Sequence, residues 1–193
     1  MADVITEVSV KNWLAENNKA LFYLWQAQSS LTKNTNNRDL GKLFAEANEY
    51  IVRDWINSKT SLTVVQRDDF SDDPDASGYD LLTDDGLLKL QVKLRATDIH
   101  LEQTRRHSKK NVNSGDTGHI RYSVGEADVF IFSRPDVDDY LDIDKWGYIA
   151  IPEIALVDPK NLNYLVPRVN KSLWTQYVGR SVEVLEDVYA SKK

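Results

Sequence analysis

The stretch from Ser77 to Arg95 (Ser-Gly-Tyr-Asp-Leu-Leu-Thr-Asp-Asp-Gly-Leu-Leu-Lys-Leu-Gln-Val-Lys-Leu-Arg) constrains the fold more than any other part of the chain. Two β-rich runs flank an Asp-Gly pair, a strong short-range signal for a hairpin with a two-residue type I′ turn. With Asp85 and Gly86 as that turn, Asp84 pairs with Leu87, Leu82 with Lys89 and Asp80 with Gln91. Directly opposed Cβ atoms then stand about 4.5–5.5 Å apart. Side chains alternate across a strand. One face therefore carries Tyr79, Leu81, Leu88, Leu90, Val92 and Leu94, and the other Asp80, Leu82, Lys89, Gln91, Lys93 and Arg95. The first face must be covered. The second gathers a carboxylate, a carboxamide and an ammonium side by side.

The rest of the chain supplies partners for such a hairpin. Helical spacing of apolar residues predicts helices over residues 5–31 and 38–57. Strands are expected over Ser61–Gln66, Gly78–Thr83, Leu87–Leu94, Asp128–Ser133 and Trp146–Ile151, with an edge strand near Asn163–Val166. A polar helix is expected over residues 98–111, a short one over Pro152–Val157, and helix again from Val182 onward. Helices followed by mixed β and α elements indicate an α/β (α+β) domain, a mixed sheet flanked by helices. At 193 residues the chain suits one domain. We divide it into a helical extension (1–37), a core (38–151) and a C-terminal extension (152–193).

Composition narrows the chemistry. There is no cysteine, hence no disulfide, thiolate nucleophile or Cys-based zinc site. No apolar run is long enough to span a membrane. The N-terminus lacks the basic and apolar regions of a signal peptide, so a cytoplasmic location is expected. The net charge of −6 argues against a simple nucleic-acid coat. Its distribution is uneven, however. Between Lys89 and Arg121 eight basic residues face three acids, and all three histidines (His100, His107, His119) lie there. No GxSxG, HExxH, P-loop or GxGxxG motif occurs. The acidic run Asp68–Asp75 lacks the spacing and closing Glu of a known Ca²⁺ loop.

Asp80 with the Leu90-Gln-Val-Lys93 strand resembles the nuclease signature of the PD-(D/E)xK superfamily, in its D…QxK form, as in Mrr-like and related restriction endonucleases. The likeness covers residues 38–151. It implies a restriction-endonuclease-like fold and Mg²⁺-dependent hydrolysis of double-stranded DNA, in a restriction system. Asp80 would ligate the metal, Lys93 would be the catalytic lysine, and Gln91 takes the place usually held by Glu or Asp. The Val92 carbonyl would be a further ligand. A glutamate on the preceding helix would join them, Glu49 in preference to Glu46. Pro74-Asp75 is a literal Pro-Asp, but it lies off the ladder facing Gln91. Lys89, Arg95, Arg105, Arg106, His107, Lys109, Lys110, Asn113, Ser114, His119 and Arg121 are expected to contact DNA. One site per chain implies a homodimer for double-strand cleavage. The rival expectations are a recombination, repair or intron-encoded nuclease of the same fold, and a non-catalytic DNA-binding module.

Overall fold

The computed structural model describes residues 12, 15–16, 18–31, 37–67, 78–94, 99–104, 119–134 and 145–193. Residues 12, 15 and 16 are helical, and the first helices whose ends are described are α1 (Lys19–Leu31) and α2 (Asn37–Lys59). Strands β1 (Val64–Gln66), β2 (Leu81–Thr83) and β3 (Lys89–Leu94) follow, then β4 (Ile99–His100), β5 (Glu102–Thr104), β6 (His119–Arg121), β7 (Val129–Arg134) and β8 (Gly147–Pro152). The C-terminal part holds a 3-10 turn (Glu153–Leu156), β9 (Val157–Asp158), β10 (Asn161–Leu165), β11 (Arg168–Val169), α3 (Lys171–Trp174), a second 3-10 turn (Thr175–Tyr177) and α4 (Ser181–Ala190).

The main sheet is mixed, in the order β1-β2-β3-β7-β8. β1, β2 and β3 form an antiparallel meander. β7 runs parallel to β3, with Gln91 beside Phe130 and Lys93 beside Phe132, and β8 closes the sheet antiparallel to β7. The near-continuous apolar run of β7 (Val129 to Phe132, all buried) fits a strand covered on both faces. On one face Val52 and Ile56 of α2 and Val184 and Leu185 of α4 pack on Leu81, Leu88, Leu90, Val92, Val129 and Ile131. On the other, Phe130, Phe132 and Ile151 meet Ile99, Leu101, Tyr122, Leu156, Leu165 and Val169. Residues 152–193, read from the sequence as an extension, thus furnish part of both cores. Among the described residues no helix is long and apolar enough to cross a membrane.

One polar contact sits in the seam between α2 and the sheet. The Ser133 hydroxyl of β7 donates to Asn48 Oδ1 of α2, and the two residues are 0% and 1% exposed. Leu24, Ala47, Ile51 and Trp146 form the apolar cluster beside it. Buried polar pairs of this kind favour one register of packing over its neighbours.

Four local expectations need correction. The Leu82–Lys89 pairing is as expected, but the turn is not a two-residue one. Thr83 N donates to Leu88 O at 3.1 Å and Gly86 N to Thr83 O at 2.8 Å. The loop is therefore four residues, turning on Asp84-Asp85, with Gly86 at φ +75°. Asp85 caps it by accepting from Thr83 Oγ1 (2.7 Å) and Leu87 N (3.1 Å), which favours this longer turn. Next, the expected helix over 98–111 is β4 and β5 where it is described. Ile99 and Leu101 are buried, and their period-two spacing pairs β4 with β11 and β5 with β6. Third, the expected edge strand is β10, which pairs with β9. Its other side is also engaged, with Val124 N bonded to Asn163 O and Leu165 N to Tyr122 O. Finally, Tyr79 leaves the apolar hairpin face and packs with the second cluster, for a reason that lies at Asp80.

Candidate active site

β2 begins only at Leu81, which pairs with Leu90. Asp80 N nevertheless donates to the same Leu90 carbonyl, at 2.8 Å, so the chain steps off the ladder at this residue. Alternation of faces stops there, and Tyr79 falls under Lys89, whose Nζ lies 5.4 Å from the ring centroid. The irregularity also leaves Val92 N–H to be satisfied by a side chain. Asp80 Oδ2 accepts it at 2.8 Å. The same oxygen accepts from Gln91 Nε2, and Gln91 Nε2 also reaches the Val92 carbonyl at 3.2 Å.

The step is fixed from behind by Gly78. Its φ of +118° suits glycine alone, and a Cβ there would stand 2.5 Å from Glu126 Cβ. Close approach of the 123–126 turn thus sets the entry angle of Tyr79 and Asp80.

Lys93 stands on the same side of the sheet as Gln91, two residues further along β3. Its ammonium lies 5.0 Å from the centre of the Tyr122 ring. Tyr122 is buried and packs edge-on against Phe130 at 5.1 Å. Glu49 follows Asn48, whose bond to Ser133 anchors this part of α2 beside the end of β3, since Ser133 pairs with Leu94. Asp80, Gln91, Lys93 and Glu49 are therefore brought together at one end of the sheet. The side chain of Glu46 lies outside the described residues.

The charges are strongly interdependent. Burial drives the Asp80 carboxyl up from its ordinary 3.8 to about 6, against the opposing pull of the Val92 N–H, the Lys93 and Arg67 charges and the Gln91 amide. Burial likewise lowers the Lys93 ammonium, while the carboxylates of Asp80 and Glu49 hold it up. A carboxylate and an ammonium perturbed by one another, and by the same loss of water, are what an acid–base or metal site needs.

No family profile, curated protein or solved structure matches this chain.

The site thus stands on its own geometry. Among the described residues no group of three or more His, Cys, Asp or Glu side chains is placed to hold a metal ion. What is present is a different donor set. Asp80 Oδ2 and the Val92 carbonyl oxygen both approach one point, now held by the Gln91 amide nitrogen. Rotation of that amide would turn its own oxygen inward. Carboxylate, backbone carbonyl and amide oxygens suit a hard cation that keeps much of its water, as Mg²⁺ does.

The expected DNA-contacting residues divide. Arg95, Arg105, Arg106, His107, Lys109, Lys110, Asn113 and Ser114 lie outside the described residues, as do Asp75 and the side chains of His100 and His119. Lys89 is described, at the opposite end of β3 from Lys93, its backbone N–H bonded to Asp128 at 2.8 Å. Arg121, by contrast, ties β6 to the β9–β10 pair: its guanidinium binds Asp158 at 2.5 Å and the Leu165 carbonyl at 2.6 Å. Sequence reasoning passed over Tyr122 and Arg67. Arg67 follows β1 directly, and its N–H donates to Asp80 O at 3.0 Å. No local pattern in the sequence marks either residue.

The raised Asp80 carboxyl predicts a sign for stability against pH. The folded state holds this proton more tightly than the unfolded chain does. Stability therefore falls as pH rises from about 4 to about 6 and stays lower above that. Asp80→Asn removes the charge and keeps an acceptor for Val92 N–H. It should melt a few degrees above the wild type near neutral pH and show no such gain at about pH 4. Thermal melts at the two pH values check this; a variant less stable at both would contradict it.

Proposed function

We propose that this protein is a Mg²⁺-dependent endonuclease that hydrolyses phosphodiester bonds in double-stranded DNA, of the restriction-endonuclease-like fold. The observation that carries the proposal is the meeting of Asp80, Gln91 and Lys93 on one face at one sheet end, with Glu49 within electrostatic reach. The surroundings support it. A helix bearing the glutamate, a first strand, the strand after Asp80 and the QxK strand come in the order the resemblance implies, although the described residues between β3 and β7 form strands where a helix was expected.

Asp80, the Val92 carbonyl and the Gln91 amide oxygen would hold the ion, with Glu49 adding charge. Bound there, Mg²⁺ supplies Lewis acidity towards the phosphate and makes water more acidic. Asp80 Oδ2 already accepts from the Val92 amide, which fixes the carboxylate plane. Lys93 is pinned between the Tyr122 face and two carboxylates. From there it positions the attacking water and offsets the charge that grows on the phosphate oxygens, an effect strongest where water is excluded. Cutting both strands requires a second site, so a homodimer is part of the proposal, as is function in a restriction system.

One observation favours a second reading. The Gln91 amide nitrogen lies between the two oxygens that a cation would bridge, so the chain can satisfy itself without metal, as a non-catalytic DNA-binding module would. Incubation of the protein with long duplex DNA and Mg²⁺ decides between them. Fragments are expected with Mg²⁺ and none with a chelator. Thermal melting offers a second test: Mg²⁺ well above its dissociation constant should raise the wild-type melting temperature by several degrees. The Asp80→Ala variant should not respond. Binding of DNA with no cleavage and no Mg²⁺ response would establish the second reading.

A further inference from the structure

We propose that Arg67 is a DNA-phosphate-binding residue of this site, held beside Asp80 until the metal takes over that carboxylate. This rests on the nuclease reading and extends it to a residue outside the expected set.

The placement comes from the sheet. Gln66 pairs with Leu81, and the next residue, Arg67, donates its N–H to the Asp80 carbonyl at 3.0 Å. Val64 packs on the α2 side of β1 and Gln66 is buried; with the ladder carried on by the Arg67 N–H bond just past the strand's end, alternation places Arg67 on the face that carries Gln91 and Lys93. Arg67 is partly buried rather than extended into solvent. The cation-holding set described above makes no use of it.

A guanidinium in that position can pair with the carboxylate or with a phosphate. It presents a planar fork of donors that matches both. Once a divalent ion neutralises Asp80, the attraction of Arg67 to the carboxylate weakens. The adjacent phosphate, drawn in by the same ion, then becomes the stronger acceptor. A purely structural counter-ion would behave otherwise: its loss would leave Asp80 poorly compensated and would not alter how many phosphates the protein grips.

The two roles differ in sign. Removing Arg67 takes positive charge away from the cation site, so divalent ions should bind as tightly as before or more tightly. DNA binding should weaken several-fold at fixed salt. The slope of log affinity against log salt should shrink by about one, the signature of one lost phosphate contact. The experiment compares wild type, Arg67→Ala and Arg67→Lys. It titrates a mixed-sequence duplex at several salt concentrations in Ca²⁺, and separately follows Ca²⁺ binding calorimetrically without DNA. Arg67→Lys, which keeps the charge, should restore the slope. An unchanged slope in Arg67→Ala, or loss of Ca²⁺ binding together with DNA binding, would overturn the assignment. A wild type that binds neither DNA nor Ca²⁺ would instead sink the nuclease reading and this assignment with it.

Discussion

Lys93→Ala should lower the rate of DNA cleavage by about two to four powers of ten at saturating Mg²⁺, while the folded chain still binds duplex DNA. Both Asp80 and Glu49 act on the Lys93 ammonium, which lies 5.0 Å from the centre of the Tyr122 ring. In the proposed reaction its removal would delete charge stabilisation at the phosphate and would take from Asp80 the larger of the two cationic charges that act on it. The Asp80 carboxyl would then rise beyond about 6, since the Lys93 charge is among the forces that restrain it. The loss should therefore deepen as pH falls towards neutrality from above. Lys93→Arg is not a conservative rescue: a guanidinium can stack on the ring, but its planar fork does not reproduce a compact ammonium that orients a single water. Single-turnover cleavage, paired with a melt and a DNA titration on each variant, checks the expectation. A variant that folds, binds DNA and cuts within a few-fold of the wild type would remove Lys93 from the mechanism.

Gly78→Ala should be the most damaging single methyl group in this part of the chain. The added Cβ meets Glu126 Cβ at 2.5 Å, backbone-near and unable to swing away, at a φ of +118° that alanine resists. Backbone strain of about 1–3 kcal/mol and overpacking of about 1–3 kcal/mol add to roughly 2–6 kcal/mol. For a domain of this size that lowers the melting temperature by roughly 5–20 °C. The variant has a second consequence that a core mutation elsewhere lacks. Whatever relief the chain finds must move Tyr79 and Asp80, so activity should fall faster than stability. Gly86→Ala is the control, because nothing stands within 4 Å of its Cβ position and only its φ of +75° is strained. Equal damage from both would mean that the Gly78–Glu126 contact is unimportant.

The sequence was most informative where two periodicities agreed. The Leu82–Lys89 register followed from counting outward from Asp85-Gly86, even though the turn itself is longer, because the leucines at 81, 88 and 90 allow only one pairing that buries them all. Asp80, Gln91 and Lys93 could be grouped for the same reason. Glu49 was favoured over Glu46 from its position beside the apolar stripe of α2, and its charge does act on Lys93. The break at Asp80 was not legible. It depends on Gly78 meeting Glu126, a contact across 48 residues that no local pattern encodes. Nor was the β character of Ile99–Thr104, where the surrounding charges outweighed a short alternation whose buried members are Ile99 and Leu101. Arg121 shows a further limit: a basic residue in a basic window is indistinguishable by composition from one that bridges Asp158 and a backbone carbonyl. The role of the C-terminal helix in covering the sheet also depends on long-range packing, through Val184 and Leu185.

The bond between Asn48 and Ser133 separates robustness from alignment. An oily replacement of the two, Asn48→Leu with Ser133→Ala, would exchange a satisfied pair for hydrocarbon contact and could leave the fold as sturdy as before. It would also erase the notch that tells the helix where to stop sliding. A slip of one turn is about 5.4 Å, enough to carry Glu49 out of range of Lys93. Engineering that ranks such variants by heat resistance alone would keep the shell and discard its working parts.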